Sequence, residues 1–133
     1  LQFKFNFGKS TIIDKSEIIP VIKNFLKDSH YLLAHGVSSE YQILKHHGLD
    51  ILEMEENLNM IDTQMVFAHN FRKKNNDRLQ YTLKDSLRLL EMQYTNLHNS
   101  GNDAAYALGA FFEMKNRILA NPERKKKIRI GYN

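Results

Sequence analysis

His98 stands five residues ahead of Asp103 in the run His98-Asn99-Ser100-Gly101-Asn102-Asp103. The aspartate opens an apolar stretch, Ala104-Ala105-Tyr106-Ala107-Leu108, which reads as a helix start. This spacing puts a proton-transfer group and a metal-ligand group on one loop and the helix that follows it. An imidazole of ordinary pKa, about 6.5, can take a proton at neutral pH, and a carboxylate can hold a divalent cation. The pair suits phosphodiester hydrolysis. A single carboxylate cannot hold the metals of such chemistry, so it needs companions.

The elements that must position them follow from periodicity. Phe3-Lys4-Phe5-Asn6-Phe7 alternates with period two and predicts a half-buried strand, with Gly8-Lys9-Ser10 as the turn after it. Ser16 is the expected cap of a helix from about 17 to 27, with Ile18, Ile19, Ile22, Phe25 and Leu26 on one face. Tyr31-Leu32-Leu33-Ala34 reads as a short buried strand ending at His35-Gly36. Ser38 or Ser39 should cap the next helix, which Gly48 closes. Leu58 to Asp62 is the third strand, and Gln64 to Lys74 the helix after it. Thr82 is read as the cap of Leu83 to Met92. Asn102 or Asp103 is read as the cap of a last helix reaching about Leu119, and Asn121-Pro122 ends it. This alternation predicts an α/β fold with helices on a buried sheet.

Three places at strand ends and helix starts collect candidate groups: His35 with Glu40, Asp62, and His98 with Asp103. Each also has a bland reading. Glu40 at a helix N-terminus is favoured by the macrodipole alone. Asp103 makes an equally good cap, and Asp62 before Thr63 reads best as an Asx-type strand terminator. His46-His47 lacks a third ligand, and Met54, Met60 and Met65 read as core filler.

The chain has 133 residues, 42% of them hydrophobic and 11% aromatic, enough for the core of one domain. It has no cysteine, which excludes disulfides and thiolate metal sites and fits an intracellular, reducing setting. The N-terminal alternation is unlike a signal peptide, and no apolar run approaches the roughly 20 residues of a membrane span. The net charge of +4 is unevenly spread. Residues 115–129 carry seven basic side chains and one acid, and the remainder has twelve basic and fourteen acidic residues. A slightly acidic body with a basic C-terminal rim suits a metal-dependent, phosphate-binding protein; a merely solvated tail fits as well.

Several segments together resemble the DEDDh-type 3′-5′ exonucleases of the RNase H-like superfamily. Leu32 to Leu44, through His35-Gly36 and Glu40, looks like the second motif, in which a strand ends in a His-Asn-like pair and an acid opens the next helix. Met60-Ile61-Asp62-Thr63 resembles the family's strand-ending Asp-Thr, and His98-x-x-x-x-Asp103 matches the third motif. The fuller wording, His98-Asn99-Ser100-Gly101-Asn102-Asp103-Ala104, is closest to a fungal branch linked to an mRNA-export helicase. The chain departs from the pattern twice. Glu40 stands where the family has Asp, and the Asp-x-Glu of the first motif is absent; Glu53-Met54-Glu55 is its nearest imitation.

The resemblance implies an RNase H-like mixed sheet flanked by helices, with the first strands of the domain absent from this chain. Residues 1–119 would form a partial exonuclease-type domain and 120–133 a basic tail. An upstream segment or a protein partner would complete the sheet. Two Mg²⁺ or Mn²⁺ ions would be held by the missing Asp-x-Glu with Glu40 and Asp103, and His98 would be the general base. A single-stranded RNA or DNA 3′ end would run along Arg72, Lys73, Lys74, Lys125, Lys126 and Lys127. The alternative is a catalytically inactive RNase H-like scaffold in mRNA export or RNA processing.

Overall fold

A computed structural model describes residues 5–53, 58–71 and 80–121. Helix α1 spans Ile18–Lys27, strand β1 Tyr31–Ala34, helix α2 Val37–His46 and strand β2 Asn59–Asp62. Helices α3 (Thr63–Asn70), α4 (Leu83–Leu89) and α5 (Ser100–Ala120) follow. The two strands pair in parallel, Leu32 opposite Met60 and Ala34 opposite Asp62. Parallel neighbours need a long crossover, and here it runs through α2 and a short 3₁₀ turn at Ile51–Glu53. The class is therefore α/β, as the alternation predicts. The described sheet has two strands.

The expected N-terminal strand is corrected where it can be followed. Phe5, Asn6 and Phe7 form no strand, and Phe3 and Lys4 lie outside the described residues. Alternation sets a period, but a strand also needs a neighbour's backbone, and this segment finds side chains instead.

Pleating sends alternate residues to opposite faces. Leu32 and Met60 pack with Ile19, Ile22, Tyr41 and Leu44 around buried Leu26, Leu49 and Ile51. A second core joins the helices: Phe67 of α3, Leu87 of α4, Leu90, and Ala110, Met114 and Ile118 of α5. The stripe read for α1 is half right. Ile19, Ile22 and Leu26 face the core, whereas Phe25 is 72% exposed.

Local signals account for most helix ends. Asp14, not Ser16, makes the capping box with Glu17 ahead of α1. Gly48 adopts φ +85 just past α2. Its N–H donates to Lys45 O, and that of Leu49 to Leu44 O, the paired bonds of a Schellman ending. Only a residue free of Cβ strain takes that φ cheaply. Thr82 caps α4 by accepting from the Asp85 N–H, as the sequence predicts.

The start of α2 has no side-chain cap of its own, so Ser38 and Ser39 are not its caps. Its free amides are taken from across the sheet. Asp62 accepts from the N–H groups of Gly36 (3.0 Å) and Val37 (3.2 Å), and caps α3 through Gln64 (2.9 Å). Close by, His35 is bolted between Thr63 Oγ1 (2.9 Å) and Tyr81 O (2.8 Å). Its role among the described residues is structural.

Two substitutions test this packing. Asp62→Ala strands three amides at once, so stability in urea should fall by about 2–3 kcal/mol, beyond the loss of an ordinary cap. An unchanged midpoint would remove Asp62 from this role. Ser86 is fully buried and its hydroxyl has no hydrogen-bond partner among the described residues. Ser86→Ala should therefore raise stability by roughly 1 kcal/mol, from relieved desolvation and better helix propensity. A loss in the same melts would mean the hydroxyl has a partner.

Candidate active site

The His98 loop is built from left-handed residues. Asn96 has φ +53 and His98 φ +65. Asn and His tolerate this region better than most residues, yet each instance still costs on the order of 1 kcal/mol. The surroundings must therefore hold the loop. The Asp103 carboxylate accepts from the backbone N–H of His98 at 3.2 Å. The third-motif pair is thus physically joined, through the histidine's main chain, and the exposed imidazole is left free to face solvent.

Helix α5 begins at Ser100, and its cap is Asn99, whose side chain accepts from the Asn102 N–H at 3.2 Å. The sequence reading put the cap at Asn102 or Asp103, three or four residues too late. Asn102 is instead fully buried. Its Oδ1 accepts from the Asn6 N–H at 2.8 Å, and its Nδ2 donates to Asn96 O at 2.9 Å.

Tyr106 is the remaining support. Its hydroxyl oxygen accepts from Thr95 N at 3.1 Å and from Asn6 Nδ2 at 3.2 Å. The Thr95 N–H holds this phenol below the usual tyrosine pKa, because a donated hydrogen bond favours the phenolate. A shallow open groove beside His98 is lined by Lys84, Tyr94, Thr95, Asn96 and Leu97. Arg88 Nε donates to the Tyr94 hydroxyl at 3.1 Å, adding a second cation on the same face of α4.

Glu40 sits exposed in the first turn of α2, with the Ser39 hydroxyl on its carboxylate at 3.2 Å. The helix that carries it leaves the end of β1, and α5, which carries Asp103, packs on the same strand. No hydrogen bond or ion pair among the described residues links Glu40 to Asp103 or His98. No group of three or more His, Cys, Asp or Glu among the described residues could hold a metal ion. These residues alone therefore do not fit a two-metal centre. Arg72, Lys73 and Lys74, like Lys125, Lys126 and Lys127, lie outside the described residues.

Sequence reasoning missed Asn6, Lys84 and Arg88. The Lys84–Arg88 spacing on α4 was a usable signal. Nothing near Asn6 announces its role, since all its partners lie about ninety residues on.

Fold, motif spacing and loop agree with one family, and comparison with known proteins gives its name. Residues 2–114 match the family described as DNA polymerase III subunit epsilon-like, C-terminal domain, of the DEDDh type. The chain belongs to this DEDDh exonuclease family. It is 33% identical over 118 residues to an uncharacterized nucleolar protein of Schizosaccharomyces pombe. That match covers 86% of this chain and 47% of the yeast protein, so the chain spans about half the length of that relative. No solved structure matches. No helix among the described residues is long and apolar enough to cross a membrane.

Gly101 reports on how tightly this site is closed. A Cβ there would stand 2.7 and 2.9 Å from two carbons of the Phe5 ring. Gly101→Ala should expel that ring. Because alanine is better in a helix by about 1 kcal/mol, net stability should change little. Limited proteolysis should then cut near residue 5 faster than in the parent. Equal cutting rates would show that the ring does not depend on the glycine.

Proposed function

We propose that the chain supplies the second and third motifs of a DEDDh-like 3′-5′ exonuclease, with His98 as general base. Residues 1–119 would be the partial nuclease domain and 120–133 a basic tail. The observation that carries this reading is the Asp103 carboxylate on the His98 main-chain N–H, which ties the loop of the exposed histidine to the helix that carries the aspartate. His98 would take the proton of a water attacking the terminal phosphodiester, and the bond from phosphorus to the 3′-oxygen would break. Glu40 and Asp103 are the proposed metal ligands within this chain.

Two Mg²⁺ or Mn²⁺ ions, when bound, would acidify water and stabilise the leaving oxygen. Holding them requires an Asp-x-Glu pair, which these 133 residues do not contain. An upstream segment or a partner chain is the proposed source, and it would also extend the sheet. The substrate is proposed as a single-stranded RNA or DNA 3′ end, drawn along Arg72, Lys73, Lys74, Lys125, Lys126 and Lys127. The nucleolar name of the yeast relative favours a nuclear setting.

The absent Asp-x-Glu and the Glu40 replacement favour a second reading, an inactive RNase H-like scaffold in RNA processing or mRNA export. One assay separates the two. The full-length protein is given 5′-labelled single-stranded RNA and DNA, with and without EDTA. The nuclease reading expects shortening from the 3′ end that EDTA stops, and a loss of about 10²-fold or more in His98→Ala. Unchanged cleavage by His98→Ala would remove that residue from the mechanism. No shortening by the full-length protein, with or without EDTA, favours the scaffold; binding that survives EDTA and falls steeply with salt would instead mark a basic-tail nucleic-acid binder without chemistry.

A further inference from the structure

We propose that Asn6 is a positioning residue for the His98 loop, acting as a strap from the far end of the chain. This rests on the reading of His98 as general base. The Asn6 side chain uses both ends of its amide. Nδ2 donates to Thr95 O and Thr95 Oγ1, each at 3.0 Å, and to the Tyr106 hydroxyl at 3.2 Å. Oδ1 accepts from Asn96 Nδ2 at 2.9 Å. The Asn6 main-chain N–H reaches buried Asn102 at 2.8 Å.

These partners are the residues that hold His98 in place. Thr95 and Asn96 lie three and two positions before it, and Asn96 is itself left-handed. Asn102 and Tyr106 lie on the helix that carries Asp103. The neighbours of Asn6 seat the strap. The Phe5 ring lies on Gly101, and Phe7 meets Tyr106 edge-on, with ring centroids 5.2 Å apart. Only a group that donates on one side and accepts on the other can answer both Thr95 O and Asn96 Nδ2. Aspartate has the shape of asparagine but lacks the donor, so it would set an acceptor against the Thr95 carbonyl.

Asn6→Asp in the full-length protein is therefore the test, read by amide hydrogen exchange and by oligonucleotide cleavage. The strap predicts that exchange at the hydrogen-bonded amides of Thr95 and His98 quickens at least tenfold, while amides of α3 and α4 keep their protection. It also predicts a kcat at least tenfold lower with KM unchanged when the rate is counted per folded molecule; a general loss of folded protein would lower the apparent kcat as well, but would also erase the protection of α3 and α4. Unaltered exchange at residues 95–98 would overturn it, as would a KM effect alone. If Asn6→Asp does not fold, Tyr106→Phe removes the hydroxyl that Thr95 and Asn6 share while keeping the ring, and the same local loosening is expected. Its absence there would equally overturn the strap. Wild-type protein that cleaves nothing, or His98→Ala that cleaves normally, overturns the nuclease reading instead. Exchange would then still decide whether Asn6 holds the loop.

Discussion

One carboxylate organises the C-terminal end of the two paired strands. Asp62 closes β2 and collects the amides of Gly36, Val37 and Gln64. Two parallel strands joined by a crossover present two helix N-termini side by side, each with unpaired donors. Neither α2 nor α3 could leave those donors half-buried without cost. A single aspartate at the last paired position, opposite Ala34, answers both. The helix that carries Glu40 is thereby aimed by a residue 22 positions away in sequence. Thr63, the next residue, donates to Ala34 O at 3.1 Å and meets the His35 ring, so the same strand end locks β1 a second time.

The His98 loop follows a different plan. Its residues adopt conformations that a free peptide would mostly avoid, and polar side chains rather than apolar burial maintain them. Asn102 is the centre of that arrangement, fully buried with donor and acceptor both engaged. A buried amide with its partners satisfied specifies one geometry, because any other leaves a polar group desolvated. The helical core of Phe67, Leu87, Ala110 and Met114 lies beneath and supplies the cohesion. Apolar contacts keep α5 in place, and the amides fix where its first turn points.

This difference decides what could be read from the sequence. Tyr31–Ala34 and Asn59–Asp62 were legible because short apolar runs beside turn residues are local signals. Gly48 and Thr82 were legible for the same reason, since a helix end depends on the few residues around it. Asp62 was read correctly as a terminator, although its reach to α2 was not, because that partner comes from another strand. The α5 cap failed within a run of four possible caps, Asn99, Ser100, Asn102 and Asp103. What assigns Asn102 to the interior is Asn6, 96 residues earlier. The phenylalanine alternation around Asn6 gave the right period and the wrong partner: Phe5 and Phe7 pack on Gly101 and Tyr106 rather than in a sheet.

Preorganisation separates the two carboxylates of the proposed site. Asp103 sits in the first turn of a 21-residue helix, and one of its oxygens is fixed by the His98 N–H. It enters any metal site with few conformations to lose. Glu40 is exposed, carries one more rotatable bond than the aspartate of the family pattern, and among the described residues hydrogen-bonds a neighbouring serine hydroxyl. An added methylene moves a carboxylate by about 1.5 Å, and freezing such a side chain costs up to about 2 kcal/mol. A two-metal site spaces its ions about 3.5–4 Å apart and tolerates little of that freedom. At the proposed site, an ion on Glu40 would therefore have to be ordered by the ligands that join it, whereas the Asp103 carboxylate is already held by the His98 N–H. In the proposed reading, a segment that supplied the Asp-x-Glu pair would have to bring rigidity along with its two acids.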